Sequence, residues 1–536
     1  MKILSASEMR EVDRLTTERY GVASIVLMEN AAARTVEATE KKFGAVAAKR
    51  ALVVCGRGNN GGDGAAVARL LHDRGASVDV LLLGRVADTK GDARINFETA
   101  AEIASTAKDT FRFVEIETKD QFWAEATSYP HMLFFDAIFG TGLTRPASGL
   151  FEEAIHLLND HTDQSPVIAV DIPSGIASDS QQLIGPAVKA DLTVTFTAPK
   201  IGNILPPAAD LCGEVVIASI GSPEELINSS GSFVNLVDKT DIEQWLNSSR
   251  RGAHSNKGDV GKVLVVAGSR GKTGAACLAG EAALLAGCGL VTIATPESSQ
   301  PIVASKVIAE CMTEGLKENG AGSVAREAAE RMIELAAERD VVAIGPGLGS
   351  SDKSTRAFMR VVAVKRQRPM VIDADGLNCL SPWAENLVGT PELPMILTPH
   401  PGEMSRLISK PISEILANPI DVARSFAAER GVILVLKGSP TVVAAPDGQV
   451  YVNTTGNAGM ATGGTGDVLT GIISSFVAQK LDDPLGATVA AVFIHGLAGD
   501  LAAAMHGVRA IIASDITANL GSAIIRVGGD VERPGR

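Results

Sequence analysis

Towards its carboxyl end the chain carries Asn457-Ala458-Gly459-Met460-Ala461-Thr462-Gly463-Gly464-Thr465-Gly466-Asp467, which runs straight into the helical stretch VLTGIISSFVA. Consecutive small residues at a helix start leave backbone N–H groups open, and those donors together with the helix dipole suit phosphate oxygens. A carboxylate beside such a nest is badly placed for affinity alone, because like charges repel. It is well placed to take the proton of a hydroxyl that attacks a phosphoryl group. Asp467 is therefore read as the base of a phosphotransfer site, in preference to the simpler role of an acidic partner for the helix dipole. Gly271-Lys272-Thr273 does not make a second phosphate loop of the GxxxxGK[ST] kind, since the glycine required five positions earlier is Val266.

The first half holds a different set. Gly56-Arg57-Gly58-Asn59-Asn60-Gly61 matches GxGxxG between a strand pattern and a helix pattern, a place that favours an anion. The acid that a dinucleotide fold places at the end of the next strand is absent, because Asp79 falls inside ASVDVLLLG, so ordinary hydride transfer is not supported. Three polar side chains among glycines, in Asn59-Asn60-Gly61-Gly62-Asp63-Gly64, are the stronger signal. Asp136 precedes Ile-Phe-Gly-Thr-Gly-Leu and Asp171 precedes Ile-Pro-Ser-Gly, both at the carboxyl ends of expected parallel strands, where ligands bind in open sheets. Asn60, Asp136 and Ser174 could converge as oxygen donors for a hard cation, and Asp171 could move a proton. A lone strand-end aspartate is more often a helix cap; three polar strand ends in one domain weigh against that.

These residues need a scaffold, and the apolar pattern supplies two. Met9, Val12 and Leu15, then Ile25, Met28, Ala32 and Val36, have helical spacing, and Ser5 with Glu8 forms a capping-box pattern. From Ala51 strand, glycine loop and helix alternate, with further strand runs at 131–140, 166–175, 191–199 and 213–221, which predicts a doubly wound parallel sheet. A polar stretch marks a junction near 222–240, and a second α/β series follows: 262–269, 290–296, 340–349, 369–378, 394–403 and 432–441. The length of 536 residues allows two to four domains. A net charge of −13 argues against a nonspecific hold on nucleic acid or anionic membrane. Six scattered cysteines without a CxxC pair read as reduced core thiols, and with no leader-like or membrane-spanning run the expected location is the cytoplasm.

In this order, NNGGDG, DAIFGTG and DIPSG resemble the epimerase domain of the NAD(P)H-hydrate repair enzymes, over residues 1–225. HSNKGDVGKVLVVAGS, GPGLG, DADGLN, TPHPGE, LKGSPT and NAGMATGGTGD are similar to the dehydratase domain of the same family, over residues 240–526. The resemblance implies a Rossmann-like three-layer α/β/α domain followed by a ribokinase-like α/β domain. It implies that Asn59, Asn60, Gly61, Gly62, Asp63 and the loop Gly140, Thr141, Gly142, Leu143, Thr144, Arg145, Pro146 hold a hydrated nicotinamide nucleotide. Potassium would sit on Asn60, Asp136 and Ser174, with Asp171 the acid/base group; Lys200 matches a lysine often found in the family, with a solvated charge as the alternative. In the second domain the resemblance implies that Ala275, Gly347 and His400 contact the hydrate. Lys437, Gly438, Ser439, Pro440, Thr441 and Gly466 would hold ADP with Mg²⁺, and Asp467 would take the hydroxyl proton. Phosphate leaves more readily than hydroxide, so phosphorylation would make the elimination possible. A homo-oligomer without nucleic-acid or membrane partners is expected. The rival reading is a ribokinase-like small-molecule kinase fused to a non-catalytic Rossmann-like ligand-binding or interaction domain.

Overall fold

A computed structural model describes residues 1–160, 165–252 and 254–528. The chain divides into two units, Met1–Ser232 and Phe233–Arg536. The first holds seven strands: β1 (Arg50–Cys55), β2 (Ser77–Leu83), β3 (Phe111–Ile116), β4 (Leu133–Ala137), β5 (Val167–Val170), β6 (Leu192–Phe196) and β7 (Glu214–Ala218). They form one sheet in the order 3-2-1-4-5-6-7, with every pairing parallel. Alternate residues of each strand feed opposite faces. Val53, Cys55 and Phe135 pack with helices Ser24–Phe43, Asn59–Asp73 and Gly91–Thr106, whereas Leu52, Val54 and Phe134 pack with Lys119–Ala126 and Leu150–Asp160. That is a three-layer α/β/α arrangement, and burial on both faces is why the strands read as continuous apolar runs.

The amino-terminal helix Ala6–Tyr20 starts at the expected capping box: Ser5 Oγ accepts the Glu8 N–H, and Glu8 accepts the Ser5 N–H at 2.7 Å. Only three residues separate β1 from helix Asn59–Asp73. The connection can be this short because Gly61 lies against the Gly56 carbonyl, where a Cβ would stand 1.8 Å from that oxygen.

The second unit contains a ten-stranded sheet. Its strands are β8 (Val234–Leu236), β9 (Lys262–Val266), β10 (Leu290–Pro296), β11 (Met312–Leu316), β12 (Val341–Ile344), β13 (Met370–Ile372), β14 (Met395–Leu397), β15 (Ile433–Leu436), β16 (Thr441–Ala444) and β17 (Val450–Asn453). The order is 11-10-9-12-13-14-15-16-17-8. Pairing is parallel as far as β15, antiparallel through β15–β16–β17, and parallel again where β8 joins β17. Thus the polar stretch around 222–240 contributes a strand to the second sheet. Helices Thr273–Leu285, Thr465–Gln479 and Pro484–His506 share one core with the sheet. Pro484–His506 is long and apolar enough to cross a membrane, contrary to the sequence expectation that no run qualifies, but 67% of its apolar window is buried inside the unit. All six cysteines are buried and free.

Candidate functional site

In both sheets the chain order reverses beside the first strand of the parallel series, between β1 and β4 and between β9 and β12. Crevices at the carboxyl ends of such strands are where open α/β sheets bind ligands. At the first of these lies a cavity of about 720 Å³, walled by Asn59, Asn60, Asp63, the loop Gly140–Arg145, Asp171 and Lys200. Gly61, Gly62 and Pro146 are not on its walls. Gly62 packs on Ala93 and Pro146 on Gly185, so these positions shape the loops from behind.

Asp171 follows β5 with φ +69°, a left-handed conformation that is strained for a residue with a side chain and is typical of functional sites. Lys200 Nζ donates to its Oδ1 at 2.5 Å, and also to Thr195 Oγ1 and the Phe196 carbonyl. Lys200 is 1% exposed, which removes the solvated-charge alternative. Asp136 is fully buried and accepts the N–H and hydroxyl of Ser174 at 2.7 and 2.6 Å. Burial lifts its carboxyl to about 6 despite those bonds. Asn60 is buried with neither side-chain amide atom hydrogen-bonded among the described residues. An orphaned amide oxygen with a buried carboxylate and hydroxyl in the same set fits an oxygen-liganded cation such as potassium.

In the second unit, Asp467 lies in the first turn of helix Thr465–Gln479. Gly464 caps that helix with φ +94° and supplies no side-chain acceptor, so the leading N–H groups have no partner within the helix. The His495 ring bonds the Thr465 carbonyl at 3.0 Å and steadies the turn from behind. Lys437 Nζ donates to Asp373 at 2.7 Å and lies 3.8 Å from Glu403. Thr470 donates to the other Asp373 oxygen at 2.9 Å. A Cβ on Gly466 would stand 3.3 Å from Lys437 Nζ, which places this ammonium against the first turn of the helix. Asp467 itself is lifted to about 7, by burial first and then by Asp373, with Lys437 opposing.

Ala275 and Gly347 meet at the β9–β12 reversal, where a Cβ on Gly347 would stand 3.0 Å from that of Ala275. His400 caps helix Pro401–Ile408: its Nδ1 accepts the Gly402 N–H at 3.0 Å and its half-exposed ring stays near Glu403. Burial lowers its basicity, which favours the neutral ring. Gly438, Ser439 and Pro440 form the turn between β15 and β16, and Thr441 opens β16. Asp375 is taken up by Lys272, the Gly349 N–H and Ser350.

Comparison with known proteins decides the family. Residues 263–521 match the family described as NAD(P)H-hydrate dehydratase, and residues 24–202 match the YjeF-related protein N-terminus. A bifunctional NAD(P)H-hydrate repair enzyme of Moorella thermoacetica is 43% identical over 519 residues, 96% of this chain and 95% of the relative. This chain belongs to the bifunctional NAD(P)H-hydrate repair enzyme family. The member from Thermofilum pendens is 39% identical over 95% of this chain and 93% of its own. An ADP/ATP-dependent NAD(P)H-hydrate dehydratase from Bacillus subtilis, co-crystallised with ATP and Mg²⁺, is 31% identical; the match covers 55% of this chain and 99% of that one, with a TM-score of 0.48. As in the family, the first unit is Rossmann-like and the second ribokinase-like.

Proposed function

We propose that residues 1–225 interconvert the R and S hydrates of NADH and NADPH, and that residues 240–526 dehydrate the S form with ADP, giving AMP and phosphate. The observation that carries the reading is Asp467, a carboxyl held near 7 at the mouth of a glycine-rich helix start. A base poised near neutrality at an anion nest suits transfer of a phosphoryl group to an alcohol. Asp467 takes the hydroxyl proton of the hydrate, the amides of 463–466 hold the moving phosphoryl, and Lys437 beside Gly466 adds positive charge. Expulsion of phosphate with loss of a ring proton then restores the dihydronicotinamide.

Ala275, Gly347 and His400 hold the hydrate, and the turn Lys437–Thr441 with Gly466 holds the nucleotide. With the Lys437 ammonium engaged by Asp373, the backbone of 438–441 carries most of that contact. Mg²⁺ travels on the phosphates, where it neutralises charge, since Asp373 and Asp375 are already paired with lysines. In the first unit Asn60, Asp136 and Ser174 hold potassium, whose charge supports the polar site. Asp171 moves the proton while Asn59, Asn60, Asp63 and the 140–145 loop grip the substrate, with Gly61, Gly62 and Pro146 shaping those loops from behind. The test is incubation of mixed hydrates with ADP or ATP while reduced-nicotinamide absorbance is followed. Recovery from both epimers requires both halves. A stable phosphorylated product without NADH recovery would make the second half a kinase instead.

A further inference from the structure

Asp13, on helix Ala6–Tyr20, lies on the wall of the first cavity. Its Oδ1 is buried and has no hydrogen-bond partner among the described residues. A carboxyl oxygen left in that state is costly unless a proton or a ligand completes it. Lys200, Asp171 and Asp63 line the same cavity, close enough to act on it electrostatically. Arg10, Arg57, Asp92 and Arg145 stand on the same walls. Burial raises Asp13 to about 6, with Lys200 opposing and Asp171 adding, so its proton is exchangeable near neutrality. Asp63 is held well above the ordinary carboxylate range by burial first and then by Asp171 and Asp13, with Lys200 opposing.

Epimerisation takes the hydroxyl from one face of the ring and returns it to the other. A proton must therefore be given on one side and accepted on the other. Asp171 is fixed through Oδ1 by Lys200, with Thr195 and the Phe196 N–H at 3.3 Å, so its carboxylate is held at one place on the wall. We propose that Asp13 is a second catalytic carboxyl of this site, serving the ring face that Asp171 does not reach. In one direction the Asp13 acid protonates the ring hydroxyl, and the C–O bond breaks with its electron pair leaving on water. The ring nitrogen lone pair closes a C=N⁺ bond. A water then adds to the opposite face and gives its extra proton to the Asp171 carboxylate. The reverse direction exchanges the two roles, and no oxidant or further reactant is needed.

The proposal rests on the epimerase reading of residues 1–225, and the experiment separates the two. The full chain, without nucleotide, is given one hydrate epimer, and exchange is followed by proton NMR in potassium buffer. Because Asp13 must carry the proton it gives, wild-type exchange should fall as pH rises through about 6. Asp13→Asn should lower kcat roughly 10²–10⁴-fold with little change in KM and remove that pH dependence, and Asp13→Glu should recover part of the rate. An Asp13→Asn rate and pH profile matching the wild type, or a loss carried wholly by KM, would overturn the proposal while leaving the epimerase reading intact. Wild-type exchange no faster than buffer would bring down both.

Discussion

Asp467→Asn separates catalysis from stability within a single residue. As a proton acceptor Asp467 works only when ionised, and burial beside Asp373 holds it at about 7. Wild-type dehydration should therefore fall about tenfold at pH 6 and about a hundredfold at pH 5 relative to its plateau. The asparagine variant should lose roughly 10²–10⁴-fold at pH 8 and show no such limb, while nucleotide binding persists or tightens as a like charge beside the phosphates disappears. The same displacement acts on folding in the opposite sense. Raising a carboxyl from 3.8 to about 7 is worth about 4 kcal/mol between its two protonation states. The folded unit binds the proton more tightly than the unfolded chain, so that stabilisation is complete below pH 3.8 and is lost as pH rises through about 7. Wild type should thus lose about 3 kcal/mol between pH 5 and 8 from this group, a loss that the variant escapes. At pH 8 the inactive variant should melt several degrees higher. Trp245 and Trp383 report the second unit in a fluorescence melt, and absorbance recovery reports turnover. A variant that keeps wild-type turnover, or that is less stable than wild type at pH 8, would refute the reasoning.

Three further outcomes follow from particular contacts. Lys200→Met leaves Asp171 without its cation and should destabilise the first unit by about 3–5 kcal/mol, read from urea unfolding at Trp123, with Asp171→Asn in the same chain restoring much of the loss; a stable single variant would contradict the burial of this pair. Asn60→Leu should weaken potassium activation of epimer exchange roughly 10–100-fold in a KCl titration against tetramethylammonium chloride, and unchanged activation would remove Asn60 from the cation site. Burial alone would raise Asp79, but hydrogen bonds from His131 and Arg50 outweigh it and hold the carboxyl at about 2. It therefore contributes about 2 kcal/mol above pH 3.8 that is lost as pH falls through about 2, and Asp79→Asn should flatten the acid-unfolding curve of the first unit.

What the sequence discloses here depends on how local the physics is. Most parallel strands were readable because burial on both faces leaves unbroken apolar runs such as LVVC and VIAV; the parallel edge strands β3 and β11, largely part-exposed, were not. The mixed edge β16–β17–β8 was not, since part-exposed residues such as Asn235, Thr441 and Tyr451 interrupt its short apolar runs. Asp467 stood out because its glycines adjoin it in the chain. The groups that set its proton affinity, Asp373 and Lys437, lie 94 and 30 residues earlier and come together only through the sheet. Asp13 had no local signal at all, because a carboxylate on an amphipathic helix looks solvated until the cavity it borders exists. Gly61 was legible as a loop glycine, yet its contact with the Gly56 carbonyl makes its role one of close packing.

The two sites handle one problem in opposite ways. Each needs a carboxylate near a lysine, Lys200 buried and Lys437 part-buried, and each lysine has a strong claim on the nearest negative charge. In the first unit Lys200 binds the reacting aspartate itself, and the cavity is left with Asp13 and Asp63 as its proton-rich carboxyls. In the second, Asp373 and Glu403 draw Lys437 away from Asp467. Asp467 is thereby deprived of the partner that would have fixed it as a permanently charged, weakly basic carboxylate, and instead is held near 7, where it can accept a proton during turnover. Neutralising Asp373 would release the lysine to Asp467. Asp373→Asn should therefore move the acid limb of dehydration below pH 7 and lower the plateau rate, because a base that binds its proton less tightly accepts it less readily.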